Sequence, residues 1–399
     1  MSGRSLSLSA RLTLLVITSS LLLHCGEGGE KTQWRGPARI GVVVPGIGPL
    51  QEEGEMLRLG MSLAIEEAGG RVTGHKVEMI VYRSPCEVGR AIPIAEAIAA
   101  DSSISAVIGY LCPETLRAVL PIYGNAHLAL ISPSVSADYI RSDESRHLFP
   151  LLYGDGEQGE FLAAYAKTGL GLTRVAVFSD SSIFGNLLGS FFFSEANRLG
   201  LELVGNIAAR LDGEEIARAV RLLNMAKPEA ILLAALPKAA SSFLIEYRRQ
   251  GGDGVVLGPD RFAGSDFYEM AGEAAEGLLV CQPILFDSED PQEFKFVRTF
   301  EQFSKRSPNW IAAAGYDSMR LALEVLSRSG PERTCFLTAI RKISDPGTSF
   351  SGLGGPLFFR EDGTSQRPFF VGEIHNGRLR SAKPPTTEFP VVRRGAVSP

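Results

Sequence analysis

Ile108-Gly109-Tyr110-Leu111-Cys112, followed by Leu130-Ile131-Ser132-Pro133-Ser134-Val135-Ser136, is the stretch that decides the fold. Two short apolar runs, Ala106–Tyr110 and Ala129–Ser132, each break into turn residues. Between them, Glu114–Tyr123 carries its apolar residues at helical spacing. Continuously apolar strands joined through a helix are the repeating unit of a parallel sheet covered on both faces.

The same alternation extends in both directions. Upstream lie the apolar run Ile40–Val44, a helix with Leu57, Met61, Ala64, Ile65 and Ala68 on one face, the strand Lys76–Tyr82, and a helix ending near Ala100. Pro93 should kink that last helix or shift its start. Downstream a second series begins, with strands at Arg174–Ser179, Glu202–Ile207, Ala230–Ala234 and Val255–Leu257. The helices Pro291–Ser304, Trp310–Ser329 and Glu332–Ile343 have no strands between them and must pack on a lobe already built. Pro356–Phe359 and Phe369–His375 read as closing strands. The expected fold is α/β, with two doubly wound parallel-sheet lobes. In such sheets ligands bind beyond the carboxyl ends of the strands, so two lobes would share a cleft.

The N-terminus points to export. Arg4 and Arg11 precede an apolar core, Leu12–Leu23, that falls short of the roughly 20 residues a membrane span needs. It has the size of a signal-peptide core. Its ending, Leu21-Leu22-Leu23-His24-Cys25, resembles a bacterial lipoprotein signal, with His24 in place of the usual small residue. Residues 1–25 are therefore expected to be a signal ending at a lipidated Cys25. Residues 26–37 would be a Gly-rich flexible tether, and 379–399, rich in proline, a disordered tail. The roughly 375 residues from Cys25 onward suit two domains. A net charge of −5 with no basic stripe argues against nucleic acid.

Five cysteines are odd in number, and a lipidated Cys25 would leave four, which allow three full pairings. Cys86 and Cys112 each follow an extended run, and parallel neighbouring strands would bring both to one sheet end. Cys281 and Cys335 sit in apolar contexts and read as buried free thiols.

Catalytic signatures are missing. The sequence holds no Gly-x-Ser-x-Gly elbow, Walker A loop, His-Glu-x-x-His helix or Cys-x-x-Cys pair, and its five histidines lack ligand spacing. Gly46-x-Gly48 follows the first strand, but Gln51 replaces the third glycine of a dinucleotide loop, and Arg83 stands near the expected acidic partner. A tight strand-to-helix turn explains that segment. No enzyme activity, metal or cofactor is expected.

From about Ile40 to Gly377 the chain resembles the branched-chain amino-acid (Leu/Ile/Val) type of periplasmic solute-binding protein that serves ABC transporters. The resemblance rests on Gly46-Ile47-Gly48-Pro49, Gly109-Tyr110-Leu111-Cys112, Ile131-Ser132-Pro133, and Phe149 with Asp155, Gln158 and Gly159. Gly258-Pro259-Asp260, Gly272-Glu273-Ala274-Ala275-Glu276-Gly277 and Gly315-Tyr316-Asp317 complete it in order. It implies a type I periplasmic-binding fold whose lobes are joined by a three-strand hinge. One lobe would hold 38–152 plus 285–352, and the other 153–284 plus 353–378. It also supports a Cys86–Cys112 bridge.

For the site, the resemblance implies a serine just after Cys112 that holds a ligand carboxylate. Pro113 stands there, with neither amide N–H nor hydroxyl. Ser134 and Ser136 match a carbonyl-and-hydroxyl loop, and Glu53 replaces an aromatic residue. Phe184 replaces a tyrosine on the second lobe, and a further tyrosine falls near Ala235 or Leu236. The acidic partner of the ligand ammonium corresponds to Asp260, one methylene shorter. Each has an ordinary alternative. Glu53 and Glu114 fit solvated helix-start charges, Ser134 and Ser136 helix caps, Phe184 core, and Asp260 a turn. With no arginine evident nearby, Glu53, Glu114 and Asp260 together suggest an acidic cleft that prefers amines or cationic amino acids. The expected protein is an exported, periplasmic or cell-surface lipoprotein. It would be a monomer that captures an amino acid or related small amine for an ABC transporter permease. A ligand-sensing receptor of the same fold without a transporter is the alternative.

Overall fold

The computed structural model describes residues 34, 36–136, 138, 140, 146–210, 213–286 and 291–382. Cys25, the expected export signal and most of the expected tether and tail lie outside them. The first lobe runs β1 (Ala38–Val44), α1 (Gln51–Glu67), β2 (Arg71–Val72), β3 (His75–Arg83), α2 (Val88–Ala100), β4 (Ile104–Gly109), α3 (Pro113–Asn125), β5 (Ala129–Ser132) and β6 (Leu148–Pro150). Its six-stranded sheet has the order β2-β3-β1-β4-β5-β6, parallel except for the short β2–β3 hairpin. The continuous apolar runs are explained by burial on both faces. Val42, Val44, Ile108 and Ile131 point to one core, whereas Val43, Val107 and Leu130 point to the other, beneath α2 and α3.

The second lobe runs α4 (Asp155–Ala164), β7 (Arg174–Ser179), α5 (Ile183–Arg198), β8 (Glu202–Ala208), α6 (Gly213–Ala226), β9 (Ala230–Ala234), α7 (Pro237–Arg249), β10 (Val255–Gly258), α8 (Ser265–Ala271) and β11 (Leu279–Gln282). The chain then returns to the first lobe for α9 (Pro291–Ser304), α10 (Trp310–Ser329) and α11 (Arg333–Arg341), whose apolar residues join the first core. Next come a small three-stranded sheet, β12 (Phe350–Gly352), β13 (Gly355–Phe359) and β14 (Ser365–Gln366), and finally β15 (Phe370–His375) and β16 (Arg378–Ser381). The second sheet has the order β16-β15-β11-β10-β9-β7-β8, with β15 and β16 antiparallel. The fold is two-lobed α/β with parallel-dominated sheets.

Four expectations need correction. Leu353, Leu357 and Phe359 belong to the first core, so the last return to the second lobe comes later than residue 353. The reason is local: β12 and β13 pair as a hairpin about Leu353-Gly354 and keep the chain on the first lobe. The tail does not become irregular at 379, because Arg378–Ser381 pairs with β15. Asn376 and Gly377, at φ 49° and 67°, form the tight hairpin turn that two positive-φ residues permit. Glu276 holds this turn by accepting from both their amides at 2.8 and 2.9 Å. Thirdly, β3 and β4 are not neighbours, since β1 lies between them. Cys86 and Cys112 are nevertheless bonded, Cα atoms 5.7 Å apart, spanning the carboxyl end of β1. Finally, Cys281 is a buried free thiol as expected, but Cys335 is not free.

Candidate functional site: the interlobe cleft

The carboxyl ends of β1, β4 and β5 carry the first lobe's candidate residues for the expected cleft. Glu53 lies in the first turn of α1, half-buried, and its Oε2 is enclosed with no hydrogen-bond partner. Its neighbours behave differently: Glu52 pairs with Arg306, and Glu55 with Arg58 at 2.6 Å. Glu53 is thus the member of this acidic run that is turned inward. After β5, Ser132 Oγ both donates to the Val135 carbonyl at 3.1 Å and accepts its amide at 3.2 Å, which fixes the turn. Ser134 and Ser136 flank Val135, and both their hydroxyls are buried without a partner, so neither caps a helix among the described residues. Buried polar atoms are normally hydrogen-bonded, and orphaned ones are candidates to receive a ligand's polar groups. Pro113 opens α3 and withholds a donor there, while Glu114 in the same turn is exposed.

On the second lobe, Asp260 leads a 3-10 turn, Asp260–Phe262, just past β10. Gln158 of α4 accepts the Asp260 amide at 3.0 Å and donates to Asp155 Oδ1 at 3.3 Å. Gln282, at the end of β11, donates to the Asp260 carbonyl at 3.1 Å. The acid is therefore held by residues from two of the crossings between lobes. Asp260 keeps some accessible surface but lies deep. Desolvation, helped by the charge of Asp155, pushes its carboxyl up to about 7, against the opposing pull of Arg261 and Gln158. A carboxyl so placed gains most from a cation.

Phe184, in the first turn of α5, is 4% exposed and belongs to the core of the second lobe. The guanidinium of Arg261 covers its ring at 4.6 Å and stands 4.0 Å from Asp155. The expectation of an acidic cleft without arginine is corrected by this contact. Of the two tyrosine-equivalent positions, Ala235 is buried, and Leu236 is 41% exposed with its amide on Asp180 at 2.8 Å.

The structure thus brings Asp260 together with Phe184 through Arg261, and leaves the side-chain oxygens of Glu53, Ser134 and Ser136 unsatisfied. It leaves Glu114 at the surface. Sequence reasoning missed Arg261 and gave no role to Asp155 and Gln158, although their i, i+3 spacing in the first turn of α4 was visible. A cavity of about 260 Å³ lies elsewhere, lined by Glu67, Tyr316, Arg320 and Phe350 at the far end of α1 from Glu53. Among the described residues no group of three side chains could hold a metal, and no helix is long and apolar enough to cross a membrane.

The chain is similar to known proteins along most of its length. The chain is 22% identical over 350 residues to the leucine-, isoleucine-, valine-, threonine- and alanine-binding protein of Pseudomonas aeruginosa, covering 86% of this chain and 91% of that one. It is 24% identical over 358 residues to the Leu/Ile/Val-binding protein of Escherichia coli K12, covering 86% and 93%. Among solved structures it resembles an ABC transporter substrate-binding protein of Desulfitobacterium hafniense in complex with Leu, with a TM-score of 0.74, 23% identity, and coverage of 87% and 100%. These relatives are solute-binding proteins and not enzymes. Residues 37–378 match the periplasmic binding protein family, and the chain belongs to that family.

Proposed function

We propose that this chain captures an amino acid or related small amine in the interlobe cleft and presents it to an ABC transporter. The observation that carries this reading is Asp260, a deep carboxyl whose charged form is disfavoured until a cation arrives. Ser134 and Ser136, in the loop after β5 of the other lobe, carry buried hydroxyls that lack partners. The ligand's ammonium would sit on Asp260 through a charge-assisted hydrogen bond, and the two serines would hold its polar end. Binding across two lobes favours whichever arrangement lets both walls touch the ligand, so it shifts the population toward a closed form. The relatives that bind leucine, isoleucine and valine support an amino acid as the ligand.

A thermal-shift panel of amino acids and amines tests this. A ligand at 100 times its Kd stabilises by about 2.7 kcal/mol. Ligands bearing an ammonium should shift the transition in the wild type and not in Asp260→Asn. Equal shifts in both proteins would overturn the assignment. The proposal includes export, a monomeric state and a lipid on Cys25, supported by the signal-like N-terminus. Mass spectrometry of the mature N-terminal peptide should find a diacylglyceryl mass on Cys25, and an unmodified or disulfide-bonded Cys25 would refute the anchor. Capture of a permease by the ligand-loaded protein distinguishes transport from sensing.

A further inference from the structure

The first lobe offers a ligand carboxylate only the neutral hydroxyls of Ser134 and Ser136, because Pro113 has neither amide N–H nor hydroxyl at the start of α3. We infer that Arg261, on the second lobe, supplies the positive charge that those hydroxyls lack. It is the specificity-determining residue that receives the ligand's carboxylate and makes the site prefer amino acids to the corresponding amines. The inference rests on the reading that an ammonium-bearing ligand binds at Asp260.

Four observations carry it. Arg261 directly follows Asp260 in one 3-10 turn, and its charge pulls on the Asp260 carboxyl, so an acid and a guanidinium lie near enough to meet the ammonium and the carboxylate of a single ligand. Phe184 lies under the guanidinium at 4.6 Å, which fixes the plane of the group and leaves its edge for bidentate contact. Asp155, at 4.0 Å, is an ion-pair neighbour beyond hydrogen-bond distance, so it orients the guanidinium without using up its donors. The Arg261 side chain is 41% exposed, so an incoming ligand can reach it. Guanidinium donors in a fixed fork match a carboxylate geometrically.

This arrangement reverses the preference for amines suggested by the acidic residues alone. A decarboxylated ligand would satisfy Asp260 but leave the guanidinium with only Asp155 and a ring. An amino acid satisfies both groups.

The test is calorimetric titration of amino acids against their decarboxylated counterparts, for example leucine against 3-methylbutylamine, in the wild type and three variants. In the wild type the amino acid should bind at least about tenfold more tightly than its amine. Arg261→Gln should weaken the amino acid by about 30-fold or more and the amine by less than about threefold, collapsing that ratio. Arg261→Lys, which keeps the charge and loses the fork, should restore part of it. The ratio is taken within one protein, so a variant that is merely less stable leaves it unchanged. An unchanged ratio in Arg261→Gln, or equal weakening of both ligands, would overturn the inference while the proposed function stands. Undiminished binding in Asp260→Asn, or no binding of any such pair to the wild type, would remove the proposed function, and this inference with it.

Discussion

Asp260 determines how the site should respond to pH. Its carboxyl titrates near 7, so below that value an incoming ammonium meets a neutral acid. Affinity for an ammonium-bearing ligand should fall about tenfold per pH unit below 7 and level off above it. Titration between pH 5 and 8.5 measures this, and a flat profile would contradict the assignment. The ligand-free protein should show the matching trend in stability. An acid whose folded pKa is raised keeps its proton where the unfolded chain, with a value of 3.8, has lost it. Stability should therefore decline as pH rises from about 4 to 7 and flatten above, and Asp260→Asn should remove that slope. Asp260, Ser134 and Ser136 come from the family resemblance, and the structure places each just past the carboxyl end of a strand. Arg261 was not legible in the sequence. Its direction depends on a 3-10 turn and on the ring of Phe184, and no periodicity reports either. Glu114 shows the converse, since its place in a first helical turn left open whether it faced cleft or solvent.

Elements of this fold are fastened by close approach as well as by apolar area. Helices α1 and α10 touch through glycines: a Cβ on Gly315 would collide with the Leu57 carbonyl oxygen, and one on Gly60 with that of Ala312. Gly315→Ala should force these helices apart and cost about 2–3 kcal/mol in a urea titration. Gly89→Ala is the control. It meets nothing within 4 Å near the start of α2 and should be neutral or stabilising by up to about 1 kcal/mol. The Cys86–Cys112 bridge ties the loops that follow β3 and β4, 26 residues apart. Replacing both cysteines with serine should cost about 3 kcal/mol, seen as a lower urea midpoint that reductant no longer changes. The strands buried on both faces were legible as apolar runs, and Gly315 as part of a family signpost. β16 was not read, because Arg378-Leu379-Arg380-Ser381 offers one apolar residue. Its pairing follows from the Asn376-Gly377 turn and from Glu276, a hundred residues earlier.

At the scale of the whole molecule, the chain passes between its lobes near Leu151–Tyr153, near Pro283 and near Arg367, and one side chain joins all three passages. Arg367, 7% exposed, donates to the carbonyls of Leu151 at 3.1 Å and Pro283 at 3.0 Å. Ser365, two residues earlier, donates to the Leu152 carbonyl at 2.6 Å. Burial draws the Arg367 pKa down, and the charge of Asp317 opposes that shift while Asp317 also accepts the Leu353 amide at 2.9 Å. The crossings therefore behave as one buried polar unit, in which removal of the cation leaves two buried carbonyls short of a partner, while Asp317 keeps Arg320 at 3.5 Å and the Leu353 amide. Arg367→Met should lower stability by about 3 kcal/mol. Its effect on cooperativity is the sharper test. Both tryptophans, Trp34 and Trp310, pack against the first core, so their fluorescence follows one lobe, while far-UV circular dichroism follows both. In the wild type the two signals should lose structure at one urea concentration, as coupled lobes require. In Arg367→Met the midpoints should separate, with Arg367→Lys between the two. Coincident midpoints in Arg367→Met would mean that the arginine stabilises the crossings without coupling the lobes, and a closing motion about this hinge would then have to be transmitted by the strand backbones alone.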